Sequence, residues 1–224
     1  MNVLALETST ERLSVALAAG SARYEATRVV GQRHAELVLD AVDALLREAR
    51  LDRRALGGVA FGAGPGSFTG LRIACGVAQG LAFALDVPVL GVSSLETLAE
   101  STEAARVAAC LDARMGEVYF AAYVRDGPCW QVVVPPGVHA PGGVPALPGE
   151  GWVGAGSGFG AYAEALHARL GRSLARTDAD VFPCASALLR IALPRLAAGE
   201  GGNPASAAPL YVRDKVALKT RERR

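Results

Sequence analysis

Short apolar runs separated by turn residues divide the start of the chain into strands. Residues 3–6 form a continuous apolar run, which is typical of a strand that is buried on both faces. The alternation over residues 13–17 and the segment 24–30 predict two more strands, joined by a hairpin turn at Ala19-Gly20-Ser21. The chain therefore opens with three antiparallel strands.

The pattern then changes to alternating helices and strands. A helical apolar period predicts a first helix over about 34–50, and strands over 59–62 and 87–92 flank a second helix over 71–85. Ser93 or Ser94 caps a short third helix that ends near residue 100. This order is that of a ribonuclease-H-like α/β domain, in which a mixed sheet carries helices on its faces.

The second half of the chain repeats the first. A strand over 107–111 ends in Asp112, as the first strand ends in Glu7, and strands over 117–124 and 131–134 follow. Residues 152–158 run from a strand into glycines, as residues 59–66 do, and helices over 161–170 and 184–198 come later. Two such units facing each other make the actin-like ATPase (ASKHA) arrangement.

This repeat predicts two related subdomains, residues 1–104 and a smaller unit over residues 105–224. The Pro- and Gly-rich segment 135–150 is interpreted as an irregular connection. Residues 210–218 are expected to run back over the first subdomain. The basic run 215–224 is interpreted as a solvated tail, with an RNA contact as the alternative.

A glycine-rich loop between the fourth strand and the second helix is the most distinctive stretch of the chain. It reads Phe61-Gly62-Ala63-Gly64-Pro65-Gly66-Ser67-Phe68-Thr69-Gly70-Leu71-Arg72. It lacks the Lys of a Walker A loop, and the third glycine of a dinucleotide fingerprint would fall at Ser67. A phosphate-binding loop of another kind and a tight turn without a ligand both stay open.

The second helix is apolar almost all the way round. A helix of this kind must be covered on two sides, and one side lies on the sheet. Gly70, Gly76 and Gly80 keep the helix slim, so that a neighbour can approach closely. The cover comes either from the first helix of this chain or from a partner helix.

Composition narrows the class of protein. Half of the residues are hydrophobic (51%) and 20% are charged, which suits a large core, and a net charge of +1 implies no general attraction to nucleic acid. There is no run of about 18 apolar residues to span a membrane and no basic flank of a signal peptide. The four cysteines are far apart, as expected of reduced thiols in a cytoplasmic protein.

Nucleotide chemistry in this architecture would use the turns that follow Glu7 and Asp112. The first turn lacks glycine, and the second places Arg114 and Met115 where the backbone would have to approach a phosphate. Glu7 and Asp112 are either a catalytic carboxylate pair or strand-end residues that accept backbone hydrogen bonds, and the second interpretation is preferred. His34 has Val38 one turn later, so a metal-binding histidine pair is absent. No catalytic residue, cofactor or metal is predicted.

Five segments together resemble the bacterial TsaB family, also called YeaZ, over nearly the whole chain. These segments are Leu4-Ala5-Leu6-Glu7-Thr8-Ser9-Thr10, Arg33-His34, the block from Gly64 to Arg72, Leu111-Asp112-Ala113-Arg114-Met115-Gly116-Glu117-Val118-Tyr119, and Pro209-Leu210-Tyr211-Val212-Arg213. The blocks around Gly64 and Asp112 are highly specific. Glu7 departs from the pattern, because many relatives carry Asp there.

The resemblance implies a non-catalytic partner of the metal-bearing paralogue TsaD. TsaD transfers threonylcarbamoyl to N6 of adenosine 37 in tRNAs that read codons starting with A, and the small ATPase TsaE joins the pair. The resemblance also implies a homodimer in isolation, and contact with tRNA that is at most indirect. An actin-like ATPase and a metalloprotease-like enzyme are the alternatives. The implied partner interface lies on the first two helices, at His34, Leu37, Val38, Ala41, Leu45, Leu71, Arg72, Ala74, Ala78 and Leu81.

Overall fold

A computed structural model describes residues 1–212, which form two five-stranded mixed sheets with flanking helices. In the first sheet the order is β3-β2-β1-β4-β5, with β1 antiparallel to β2 and parallel to β4. Its strands are β1 (Val3–Glu7), β2 (Arg12–Ala19), β3 (Ala22–Val29), β4 (Gly58–Gly64) and β5 (Val89–Ser93).

The second sheet has the same topology. Its order β8-β7-β6-β9-β10 repeats the first, again with one antiparallel and one parallel neighbour at the central strand. Its strands are β6 (Arg106–Asp112), β7 (Val118–Asp126), β8 (Cys129–His139), β9 (Trp152–Ala155) and β10 (Leu174–Asp178). The predicted duplication of a ribonuclease-H-like unit is therefore confirmed.

The helices cover both sheets and fill the space between them. They are α1 (His34–Glu48), α2 (Phe68–Leu85), α3 (Ser94–Glu100), α4 (Ser157–Ala161), α5 (Ala163–Leu170) and α6 (Ala185–Ala197). Helices α1 and α2 bury their apolar sides on the outer face of the first sheet, and α4 and α5 cover the outer face of the second. The apolar sides of these four helices are thus buried on the outer faces of the two sheets.

Helices α3 and α6 lie between the two sheets, and each packs on the sheet that is further from it in sequence. Helix α6 comes late in the chain but packs on the first sheet, where Leu188 and Ala192 share a core with Val3 and Ala60. Helix α3 follows the first sheet but packs Leu98 and its neighbours on the second. The predicted boundary between the subdomains at residue 104 therefore stays a prediction. Helix α6 follows that boundary in sequence but packs on the first sheet.

Glu100, at the end of α3, connects the two helices that lie between the sheets. Its carboxylate accepts hydrogen bonds from Arg190 of α6 at 2.6 Å, and from Arg125 and Trp130 of the second sheet at 2.9 Å. Burial alone would raise the pKa of Glu100, but these hydrogen bonds and the charge of Arg125 outweigh it and hold the pKa below its usual value. One carboxylate thereby joins α3, α6 and the second sheet.

The structure corrects three details of the second subdomain. Strand β8 continues to His139, because register shifts in its pairing with β7 carry it past the two prolines of the predicted connection. The predicted helix over 161–170 is two helices that begin at Ser157 and break at Tyr162. Strand β10 was not predicted, because its residues are largely exposed and polar.

Helix α2 is also long and apolar enough to cross a membrane. It has 18 residues and a mean hydropathy of 1.4. By length and composition alone this is weak evidence, since a core helix passes the same test, and α2 packs on β4. The absence of a membrane span stays a prediction.

Candidate functional site

The glycine-rich loop joins β4 to α2 and is packed from three sides by this chain. Ser67 caps α2, its side chain accepting a hydrogen bond from the backbone of Gly70 at 3.3 Å. The backbone N–H of Ser67 in turn donates to the carbonyl of Ser9 at 2.8 Å. The turn after β1 is therefore hydrogen-bonded directly to the start of α2.

Two glycines permit this contact. A side-chain carbon at Gly66 would lie 2.6 Å from the Ser9 carbonyl oxygen, and one at Gly70 would collide with the Thr8 carbonyl oxygen. The Thr8 hydroxyl donates to the carbonyl of Gly70 at 2.7 Å and closes the contact. Both glycines are used for the close approach of two backbone segments.

A third glycine admits the C-terminal segment. Gly64 has a φ of +114°, and a side chain there would approach the carbonyl oxygen of Leu210 to 2.9 Å. The N–H of Leu210 donates to the carbonyl of Ala63 at 2.7 Å. Residue 210 thus packs on the glycine-rich loop of the first subdomain, while residues 213–218 of the predicted extension and the basic run 215–224 lie outside the described residues. These contacts favour the tight turn over a phosphate loop.

Glu7 lies beneath the same loop and is 1% exposed. One carboxylate oxygen accepts a hydrogen bond from the backbone of Ser9 at 2.7 Å, and the other is buried against Gly62 without a hydrogen-bond partner among the described residues. Burial raises the pKa of Glu7 to about 7, although nearby polar groups of Ser9, Thr8 and Ser94 oppose the shift. The Glu7 carboxyl is thus enclosed by its own turn and by Gly62.

Asp112 occupies the equivalent position in the second subdomain and is engaged by its own turn. Its carboxylate accepts a hydrogen bond from the backbone of Arg114 at 2.8 Å and from the Tyr162 hydroxyl at 3.3 Å, and it pairs with the Arg114 guanidinium at 3.0 Å. The turn is held in the left-handed region, with φ of 61° at Arg114 and 57° at Met115. Both carboxylates therefore support the strand-end interpretation.

A cleft of about 900 Å³ separates these two turns. Ser9, Ser67 and Leu71 line it from the first subdomain, and Asp112 and Arg114 line it from the second. Glu7 does not line it. The predicted turns thus face one cavity, as in the actin-like arrangement, but the Glu7 carboxyl is not presented to it.

His34 begins α1 and is buried. Its Nε2 faces the carbonyl of Arg12 at 3.2 Å, so this nitrogen donates a hydrogen bond. Within residues 1–212, no group of three His, Cys, Asp or Glu side chains is placed to bind a metal. All four cysteines are free thiols.

The residues implied as a partner interface divide by burial. Those in the chain's own core offer no surface to a partner, and Leu37, Ala41 and Leu81 are half-buried beside them. Arg72 is exposed, with its guanidinium 3.4 Å above the Phe68 ring. The interface stays a prediction, and only these four of its ten residues have surface that a partner can contact. The buried members are His34, Val38, Leu45, Leu71, Ala74 and Ala78.

The open side of α2 carries residues that sequence reasoning left out of the interface. Gly76 and Gly80 lie at its centre, and a methyl group at either would meet no atom within 4 Å. Ile73 and Val77 flank them half-buried, and Phe83 is 73% exposed. Their spacing on one side of the helix was the available signal, but it does not tell which side faces the sheet.

Comparison with known proteins shows the family. A family model described as TsaD, tRNA N6-adenosine threonylcarbamoyltransferase, matches residues 27–156. The tRNA threonylcarbamoyladenosine biosynthesis protein TsaB of Escherichia coli (strain K12) is 37% identical over 98% of this chain and 97% of its own length. The chain belongs to the TsaB family. The TsaB protein of Haemophilus influenzae is 31% identical over 98% of this chain and 96% of its own.

Solved structures agree with this TsaB assignment. YeaZ from Pseudomonas aeruginosa matches with a TM-score of 0.87 and 42% identity, covering 94% of this chain and 99% of that one. A second structure, described as an uncharacterized protein with similarity to peptidase YEAZ from the same organism, matches with a TM-score of 0.88 and 41% identity, covering 95% and 99%. The predicted family and fold are therefore confirmed, and the chain has the general role of TsaB proteins in threonylcarbamoyladenosine biosynthesis.

The close contact at Gly70 can be tested by adding one methyl group. We expect Gly70→Ala to lower the free energy of unfolding by about 3 kcal/mol, because overpacking against the Thr8 backbone cannot be relieved by a rotamer change. The matched control is Gly142→Ala, at an open glycine of the second subdomain, which should change the free energy of unfolding by no more than about 0.5 kcal/mol. Urea unfolding measures both, and equal effects of the two substitutions would contradict the packing role.

The buried carboxyl predicts a pH-dependent difference between wild type and Glu7→Gln. Because the pKa of Glu7 is raised to about 7, the folded chain binds more protons than the unfolded chain above pH 4.5, so this group costs stability as the pH rises towards 7. Glu7→Gln removes that cost. We expect the variant to gain roughly 3 kcal/mol over wild type between pH 4.5 and pH 8, measured by urea unfolding. A difference that does not change with pH would be inconsistent with a buried, titrating Glu7.

Proposed function

We propose that this chain is an accessory subunit needed for threonylcarbamoyl transfer to N6 of adenosine 37 in tRNAs that read codons starting with A. In this proposal it binds and activates the catalytic paralogue TsaD, and the ATPase TsaE joins the pair. The names of its relatives support the pathway. The match to a TsaD family model supports kinship with the enzyme that would be its partner. We expect the complex to act in the cytoplasm, where tRNA is modified.

The open face of α2 is the observation that carries the proposal. Apolar side chains at Ile73, Val77 and Phe83 surround the two glycines, so a partner helix can approach the α2 backbone closely and bury apolar surface. Leu37 and Ala41 of α1 are half-buried against the same core as Ile73 and Val77, and we expect them to extend this surface. We propose that helices α1 and α2 form the contact with TsaD, and that they self-associate when the chain is alone.

The absence of catalysis in this chain is part of the proposal. Glu7 is buried away from the cleft, and three donors occupy the carboxylate of Asp112, so neither is placed to activate water or to hold a nucleotide-bound metal. These contacts weigh against an actin-like ATPase and against a metalloprotease-like enzyme. Contact with tRNA is then made mainly through the partner.

A reconstituted reaction tests the accessory role. It contains TsaD, TsaE, the enzyme that forms threonylcarbamoyl-adenylate, ATP, threonine, bicarbonate and unmodified tRNA, with or without this chain. We expect nucleoside mass spectrometry to find the modified adenosine only when the chain is present. An equal yield without the chain would contradict the proposal.

A charged side chain on the open face tests the interface. Gly76→Glu combined with Gly80→Glu should leave the fold intact, because both positions are open, and should reduce the product at least about tenfold by placing two carboxylates in an apolar contact. Gly142→Glu, at an open glycine of the second subdomain, is the matched control and should retain the product. Full activity of the double variant would place the contact elsewhere.

A further inference from the structure

Large apolar side chains collect around the mouth of the cleft. Phe68, Met115, Leu210 and Tyr211 all line it, and they are 44%, 58%, 42% and 50% exposed. They are four of the ten large hydrophobic side chains that are exposed within residues 1–212. They come from three separate segments of the chain, so sequence proximity does not explain the concentration. A clustered apolar surface of this kind indicates a binding site.

Two arginines stand among these side chains. The Arg72 guanidinium lies 3.4 Å above the Phe68 ring and 5.8 Å from the Tyr211 ring, and no carboxylate of the described residues is within ion-pair distance of it. The Arg114 side chain is 86% exposed and contacts Asp112 through a single nitrogen. Both guanidinium groups therefore have donors left for an external acid.

We infer that the mouth of the cleft docks an extended segment of a partner protein that carries apolar side chains and at least one Asp or Glu. The apolar side chains pack on Phe68, Leu210 and Tyr211, and the acid pairs with Arg114 or Arg72. A cleft of about 900 Å³ has room for several side chains of such a segment. Aromatic side chains, methionine and arginine are also the residues enriched at protein interfaces.

The charges favour a protein segment over a nucleic acid. Glu11 and Asp112 line the same cleft, so a polyanion would meet two carboxylates there, whereas a single acid can pair with the Arg72 guanidinium, which has no ion-pair partner within residues 1–212. The whole chain carries a net charge of only +1. Binding of a phosphate backbone relies on a basic surface, which the residues that line the cleft within 1–212 do not form. The inference goes beyond the proposed accessory function and does not depend on it, because its site is the cleft and not the open face of α2.

Selection of short random peptides on the full-length chain tests the inference. Phage-displayed peptides are selected on wild type and counter-selected on a variant that carries Arg114→Asn and Tyr211→Ser. Asn tolerates the left-handed backbone at residue 114 and removes the charge. We expect the surviving peptides to be enriched in Asp or Glu next to Leu, Met or aromatic residues. Synthetic versions should lose about tenfold in affinity on either single substitution.

Controls separate this result from unspecific binding. Arg54→Asn, at an exposed arginine away from the cleft, should leave peptide affinity unchanged, and Arg72→Gln offers a second test if Arg114→Asn fails to fold. Peptides that do not distinguish wild type from the double variant, or that show no preference for acids, would overturn the inference. Salt-sensitive binding of oligo(U) that competes with the peptides would overturn it in favour of a nucleic-acid site.

Discussion

The close approach of the turn after β1 to the first turn of α2 is the contact on which the rest of the molecule depends. Gly66 and Gly70 permit it, because a side chain at either would meet the backbone of Ser9 or Thr8. It fixes α2 on the first sheet and shapes one wall of the cleft. A loop that has the composition of a phosphate site therefore serves here to pack the protein against itself.

This contact also explains why the chain resembles a nucleotide-binding architecture although the Glu7 carboxyl is not presented to the cleft. The two turns that would cradle phosphates face one cleft, but one covers a buried Glu7 and the other encloses Asp112 in hydrogen bonds. Two surfaces of the described residues are open to contact with other molecules. They are the open side of α2 and the apolar mouth of the cleft. These two surfaces support the proposal that the chain acts by binding partners.

Sequence patterns predicted both sheets because their central strands are short apolar runs at repeated spacing. Strand β10 was not predicted, because Leu174–Asp178 lies at a sheet edge with mostly exposed side chains.

The interface residues were harder to predict than the strands. On a helix that is apolar all round, the hydrophobic period does not show which side faces the sheet. Ala74 and Ala78 were therefore predicted to contact a partner, whereas the structure buries both in the core of the first sheet. The glycines of the loop allow close packing of segments that are far apart in sequence, and a sequence pattern does not give the distances between such segments.

Calorimetric titration of the full-length chain with Mg-ATP tests the central claim most directly, which is that the glycine-rich loop packs protein and does not bind phosphate. The account predicts no saturable heat at millimolar nucleotide, because the backbone of Thr8, Ser9 and Leu210 already lies against the glycines that a phosphate would have to approach. Stoichiometric binding with a micromolar dissociation constant would contradict the account and restore a nucleotide-dependent activity to this chain.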